Sequence, residues 1–180
     1  MRGLGTIINV VAVITGGIGG MLFGKKLQKR FQDILMSASG ICVIFLGIGG
    51  CMEEMLKIQE NGLTTNGTMM MIGTFTLGAL VGEVLNLERH MEEFGTWLKL
   101  KTGSQKDTSF VDGFVTTSLT ICIGAMAVVG SIKDGLLGDY SILAAKAVLD
   151  LIIVLVMTAS MGKGCIFSAI PVGIFQGSIT

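Results

Sequence analysis

"GGIGGMLFGKK", Gly16 to Lys26, admits two readings, and the choice between them decides the fold. In the first, Gly19, four intervening residues, Gly24 and Lys25 match the G-x-x-x-x-G-K part of a phosphate-binding loop. That reading fails on chemistry. Position 26 is Lys, where Ser or Thr would hold Mg²⁺. No strand precedes the stretch, and no acidic strand of the Walker type follows. In the second reading Gly16, Gly20 and Gly24, each four residues apart, form a stripe of small residues on one face of a membrane helix. Lys25 and Lys26 then anchor that helix at the membrane surface.

Composition favours the second reading. Of 180 residues, 51% are hydrophobic and 14% charged, with 27 glycines besides. Mean hydropathy is +0.75. A soluble domain has about 25% charged residues and about 45–50% apolar ones with glycine counted among them. So much apolar material in so short a chain predicts an integral membrane protein. A net charge of zero gives no basis for nucleic-acid binding.

Six apolar segments stand out at 5–23, 34–52, 68–85, 113–132, 142–161 and 164–180. Each approaches the ~17–25 residues that a helix needs to cross a ~30 Å hydrocarbon layer. The runs are continuous rather than alternating, and only helices and closed barrels satisfy every backbone group in lipid. The expectation is an all-α bundle of six transmembrane helices in one domain, made of residues 1–85, a cytoplasmic loop at 86–112, and residues 113–180. The first run resembles a signal peptide but ends in glycines and a basic cluster, not at a cleavage site. It is read as a retained helix.

Charge sets the orientation. Lys25, Lys26, Lys29 and Arg30 follow the first segment, and Arg89, Lys99, Lys101 and Lys106 lie in the long loop. With Lys163 they make nine positives on one side, against Arg2, Lys57 and Lys133 on the other. Positive loops face the cytoplasm, so the N-terminus and the end of the sixth segment are expected outside. Glu53, Glu54 and Glu60 then also fall outside. Within the loop, Leu87, Met91, Phe94 and Leu98 recur at helical spacing behind a plausible N-cap, Asn86. They predict a short interfacial helix. The Asn66-Gly67-Thr68 glycosylation pattern abuts a helix start and is discounted.

The two halves echo each other weakly. A shift of 115 places Ala12 on Ala127, Gly20 on Gly135 and Gly47 on Gly162, and a shift of 95 places Gly78 on Gly173 and Gly82 on Gly177. Units of three helices would be inverted relative to one another, as in many secondary transporters. A 3+3 inverted repeat is therefore expected. Gly78 and Gly82, and Gly173 and Gly177, repeat the spacing of Gly16, Gly20 and Gly24. Such stripes permit close helix approach, within one chain or in a homodimer.

Polar groups inside apolar segments are the candidate functional residues. An ionisable group at mid-membrane costs about 2.5–3.5 kcal/mol on insertion scales, so it is paired, wet or functional. Lys146 and Asp150 are one helical turn apart in the fifth segment, placed to pair. Asn9, Glu83 and Gln176 lie in the first, third and sixth segments. Pro171 is expected to interrupt the sixth segment. Asp134 and Asp139, in "IKDGLLGDYS" (132–141), read as turn and cap residues. Cys42, Cys51, Cys122 and Cys165 read as buried free thiols, and the single His90 as a surface residue. No nucleophile with a base, no metal-ligand cluster and no cofactor motif is present, so no enzyme is expected. The reading is a small-solute or ion transporter or channel, or else a non-transporting scaffold or accessory subunit.

The stretches "GTIINVVAVITGGIGG" (5–20), "GALVGEVLNLE" (78–88), "FVDGFVTTSLTICIGAMAVVGSIKDGLLGDYSILAAKAVLD" (110–150) and "FSAIPVGIFQGSIT" (167–180) resemble the YdfK/YqgA-like family of bacterial inner-membrane proteins. The resemblance spans essentially the whole chain and implies a polytopic inner-membrane protein without an established substrate. It also implies a further apolar helix after "QGSIT", and Glu where this chain has Asp112. The family has no agreed functional residues to transfer.

Overall fold

A computed structural model describes residues 3–24, 28–59, 62–65, 67–105, 107–122 and 124–180. Lys25 and Lys26, Arg2, Glu60, Asn66 and Lys106, all read above as loop or terminal residues, lie outside the described residues. So do the side chains of Glu53, Glu54, Lys57 and Leu87.

Eight α-helices are described rather than the six expected: α1 (Leu4–Phe23), α2 (Lys29–Met55), α3 (Thr68–Leu85), α4 (Leu87–Lys101), α5 (Phe110–Cys122), α6 (Ala125–Leu137), α7 (Ser141–Met161) and α8 (Ala169–Ile179). A short antiparallel hairpin, β1 (Leu56–Gln59) and β2 (Gly62–Thr65), joins α2 to α3 and pairs Leu56 with Thr65. The six-segment expectation fails in two places. The fourth segment is divided into α5 and α6, whose axes differ by 59°. Gly124, at the start of α6, is extended. The sixth segment is not one α-helix but a 3₁₀ turn, Lys163–Ser168, followed by the 11-residue α8. Ser168 donates its hydroxyl to the Cys165 carbonyl within that turn.

Four described helices are long and apolar enough to cross a membrane: α1, α2 over Lys29–Met52, α3 and α7. The bent pair α5–α6 makes a fifth if it is one span. Pro171 does not interrupt α8. It is the third residue of that helix, which follows the 3₁₀ turn directly and continues through the proline to Ile179.

The chain forms two compact units, residues up to Ser39 with Met91–Thr180, and Gly40–His90. In the first, α1 packs along α7. A Cβ added at Gly16 would lie 2.5 Å from the Leu151 carbonyl oxygen, and one at Gly20 would meet the Leu155 carbonyl oxygen. At Gly24 it would lie 2.9 Å from Ala159 Cα. The contacts advance in the same direction along both helices, so α1 and α7 are parallel. Lipid offers little hydrophobic force between helices, and small residues allow the close backbone approach that dispersion requires. Residues 166 to 180 run the opposite way along α1, with Ile166 at Gly17 and Gly173 at Val10. Val13, Ile121, Val154, Met157, Cys165 and Val172 form the core between these elements.

A second core joins α4 to α5 through Leu98, Phe110 and Phe114, with Met91 and Phe94 packed against it. The apolar face of α4 thus meets protein, while Trp97 stays half exposed under Lys101. Asn86 closes α3 in the left-handed region (φ 45°), and His90 is exposed beside its carbonyl. The α6–α7 turn closes on Gly138 in the left-handed region (φ 70°): the Gly138 N–H donates to the Asp134 carbonyl and the Asp139 N–H to the Lys133 carbonyl. Asp139 Oδ1 then accepts the Ser141 N–H at 3.0 Å. Hydrogen bonds from Ser141 hold its carboxyl below the usual range.

In the second unit α3 has no buried residue. Cys42 and Cys51 are exposed free thiols rather than buried ones. Apolar surface of this kind is what a helix presents to lipid.

Candidate functional site

The buried polar groups of the first unit converge from three helices. On α7, Lys146 and Asp150 are 4% and 3% exposed. Lys146 Nζ donates directly to Asp150 Oδ2 as an i, i+4 pair. Asp150 is the tenth of 21 residues, about 14 Å along the helix at 1.5 Å per residue, hence near its middle. The face that carries the pair also buries Leu143, Ala147, Val154 and Met157.

On α1, Thr6, Asn9, Val13 and Gly16 share one buried face. Asn9 is fully buried, and its Nδ2 donates to Gln176 Oε1 of α8 at 3.2 Å. The α1–α7 register, with Gly5 at Leu143 and Gly16 at Leu151, sets Asn9 along the stretch of α7 that carries the ion pair. Asn9 Oδ1 and Gln176 Nε2 have no partner among the described residues. Turning both amides over exchanges the roles of their atoms but still leaves one donor and one acceptor free.

A second rung lies beside this one. Thr6 and Thr180, spaced three and four residues from Asn9 and Gln176, meet hydroxyl to hydroxyl at 3.2 Å. They line an open cavity of about 340 Å³ with Gly3, Ile7 and Gly177. Asp134 of α6 is fully buried and accepts the Gly5 N–H at 2.9 Å. A carboxylate there is favoured by the positive end of the α1 dipole.

The α5–α6 break follows Cys122, the last residue of α5, a half-buried thiol packed against the core that holds Val13, Val154 and Val172. Helix α6 begins just beyond it, at Gly124, with no side-chain cap.

Four sequence candidates, Asn9, Lys146, Asp150 and Gln176, are therefore brought together. Glu83 belongs to α3 of the second unit and is exposed. Pro171 supports the start of α8. Gly16, Gly20 and Gly24 face α7, and Gly173 approaches Val10 at 3.3 Å. Gly78, Gly82 and Gly177 have open space around them. Lys29 and Arg30 are exposed in the first turn of α2. Among the described residues no cluster of three His, Cys, Asp or Glu could hold a metal. Sequence reasoning missed Thr6 and Thr180, although their helical spacing from Asn9 and Gln176 was available as a signal. It also read Asp134 as a turn residue and placed the broken helix at Pro171 rather than at Gly124.

Comparison with known proteins gives a family of unknown function. Residues 4–180 match a family described as "Protein of unknown function (DUF554)". The chain is 31% identical over 175 residues to the uncharacterised membrane protein YdfK of Bacillus subtilis, covering 97% of this chain and 70% of that protein. It is 29% identical over 177 residues to the uncharacterised protein YqgA of Escherichia coli, covering 96% of this chain and 71% of that protein. No solved structure matches.

Proposed function

We infer that this chain, which belongs to the DUF554 family of proteins of unknown function, is a transporter or channel for a small solute or ion. The observation that carries the reading is the convergence of Asn9, Lys146, Asp150 and Gln176 from three helices. Polar side chains in a membrane interior mark substrate and ion pathways. This cluster keeps a free donor and a free acceptor for an occupant. Support also comes from the bent α5–α6 span, because interrupted helices at mid-membrane build the sites of many transporters.

The proposed setting is the bacterial inner membrane with the N-terminus outside, as the nine-to-three distribution of positive residues implies. An alternating six-segment path with inverted triplets requires the first and fifth segments to run the same way and the sixth to oppose them. The parallel α1 and α7 and the opposed α8 support that arrangement. Glu83 is proposed as a carboxylate at headgroup level. The assembly proposed is a homodimer, with the open Gly78 and Gly82 stripe of α3 as the face that meets a second copy.

One observation favours a second reading. Lys146 and Asp150 are bonded directly to each other, as a purely structural pair in a scaffold or accessory subunit would be. A flux screen separates the two. Purified protein in sealed vesicles is assayed with labelled cations, anions, sugars and amino acids. Transport predicts movement of at least one of them, reduced to background by Asp150→Asn with Lys146→Met in a protein that still elutes as a folded species. Movement of none of them supports the scaffold.

A further inference from the structure

We propose that the Asn9–Gln176–Lys146–Asp150 cluster binds a small monoanion together with one proton. The proposal deepens the transport reading and rests on it. Its first ground is charge balance. Lys146 and Asp150 are both at least nine-tenths buried and together carry no net charge. A lone ion entering that site would leave an uncompensated buried charge. Two loadings keep the sum at zero: an anion with a proton added to Asp150, or a cation with a proton removed from Lys146.

The surrounding groups choose between them. A cation needs several oxygen ligands, and the cluster offers only the Asp150 carboxylate and one free amide oxygen. An anion needs donors. Lys146 presents three N–H groups, and Gln176 Nε2 is a free donor. The free acceptor, Asn9 Oδ1, suits the other half of the load. The α1–α7 register sets Asn9 along the stretch that carries Asp150, where a free amide oxygen can serve an O–H created by protonation.

The step balances. One proton from water bonds to a carboxylate oxygen of Asp150, and the ion pair with Lys146 opens. The Lys146 ammonium then pairs with the incoming anion, and release reverses both events. On the elements packed against α1 and α7, the described residues include the titratable side chains Cys122 of α5, Asp134 of α6, held at the Gly5 N–H, and Cys165 of the 3₁₀ turn. The buried faces of α1 and α8 contribute amides and hydroxyls.

The test uses the full chain in sealed phosphatidylethanolamine and phosphatidylglycerol vesicles with a trapped pH dye. Potassium and valinomycin hold the membrane potential at zero, and protein-free vesicles give the leak. Inward gradients of chloride, nitrate or pyruvate are applied in turn. The proposal expects at least one anion to acidify the lumen. Asp150→Asn, a neutral stand-in for the protonated acid, is expected to lose proton uptake but keep exchange of the labelled anion. Lys146→Gln is expected to lose exchange by at least about tenfold, the factor a lost charged hydrogen bond represents, and Lys146→Arg to retain it. Movement of an anion without protons, or of other solutes only, overturns the anion-proton proposal and leaves transport standing. Movement of none of these anions overturns the anion-proton proposal, and movement of nothing in the wider flux screen overturns transport as well. The wild-type measurement decides proton coupling even where a variant fails to fold.

Discussion

At the scale of single residues, Lys146 and Asp150 are tolerated in a membrane interior because each removes the other's charge. Breaking such a pair from one side costs about 3–5 kcal/mol, whereas replacing both partners with apolar residues is close to neutral. Asp150→Leu should therefore destabilise the protein by that amount, and Lys146→Met with Asp150→Leu should recover most of it. Unfolding in detergent micelles measures both. Equal losses in the single and double variants would contradict the pairing. This pair was legible in the sequence because its two members are one turn apart on one helix. The bond between Asn9 and Gln176 was not, since 167 residues separate them. Apolar surroundings announce that each amide needs a partner but do not name it. Asp134 was less legible still, because its partner is a backbone N–H 129 residues away.

At the scale of elements, the glycine stripe of α1 is a contact surface cut to the backbone of α7. Gly20→Val places methyl groups against the Leu155 carbonyl and the Thr158 side chain. Overpacking of this kind costs typically about 1–3 kcal/mol, and the same unfolding assay should show it. Gly177→Ala, with open space around it, should stay within about 0.5 kcal/mol. Similar costs at the two sites would contradict the packing. Pro171→Ala should change stability by less than about 1 kcal/mol, because alanine adopts without strain the helical backbone that α8 holds there. A loss of about 3 kcal/mol or more would show that the proline shapes an interior turn. Hydropathy located α1, α3 and α7 well, since length and apolarity alone define a span. It could not place the α5–α6 break. Gly124 is one glycine among 27, and no local signal distinguishes it from those that continue a helix.

At the scale of the whole molecule, membrane character was legible from composition, and the match over residues 4–180 agrees with the resemblance carried by the quoted stretches. Assembly is argued from α3, whose Gly73, Gly78 and Gly82 have no neighbour within 4 Å. If a second copy covers that face, Gly78→Leu should convert the detergent-solubilised dimer to a monomer by light scattering without lowering its melting temperature. An unchanged mass would place the interface elsewhere. The central claim is that the buried cluster is reached from water. It is tested most directly by thiol accessibility in sealed membranes, in a chain whose four native cysteines are replaced. Asn9→Cys and Gln176→Cys should react with a small hydrophilic thiol reagent, and Val154→Cys, in the apolar core of the same unit, should not. Equal inertness at all three positions would show a dry structural pair and contradict the account.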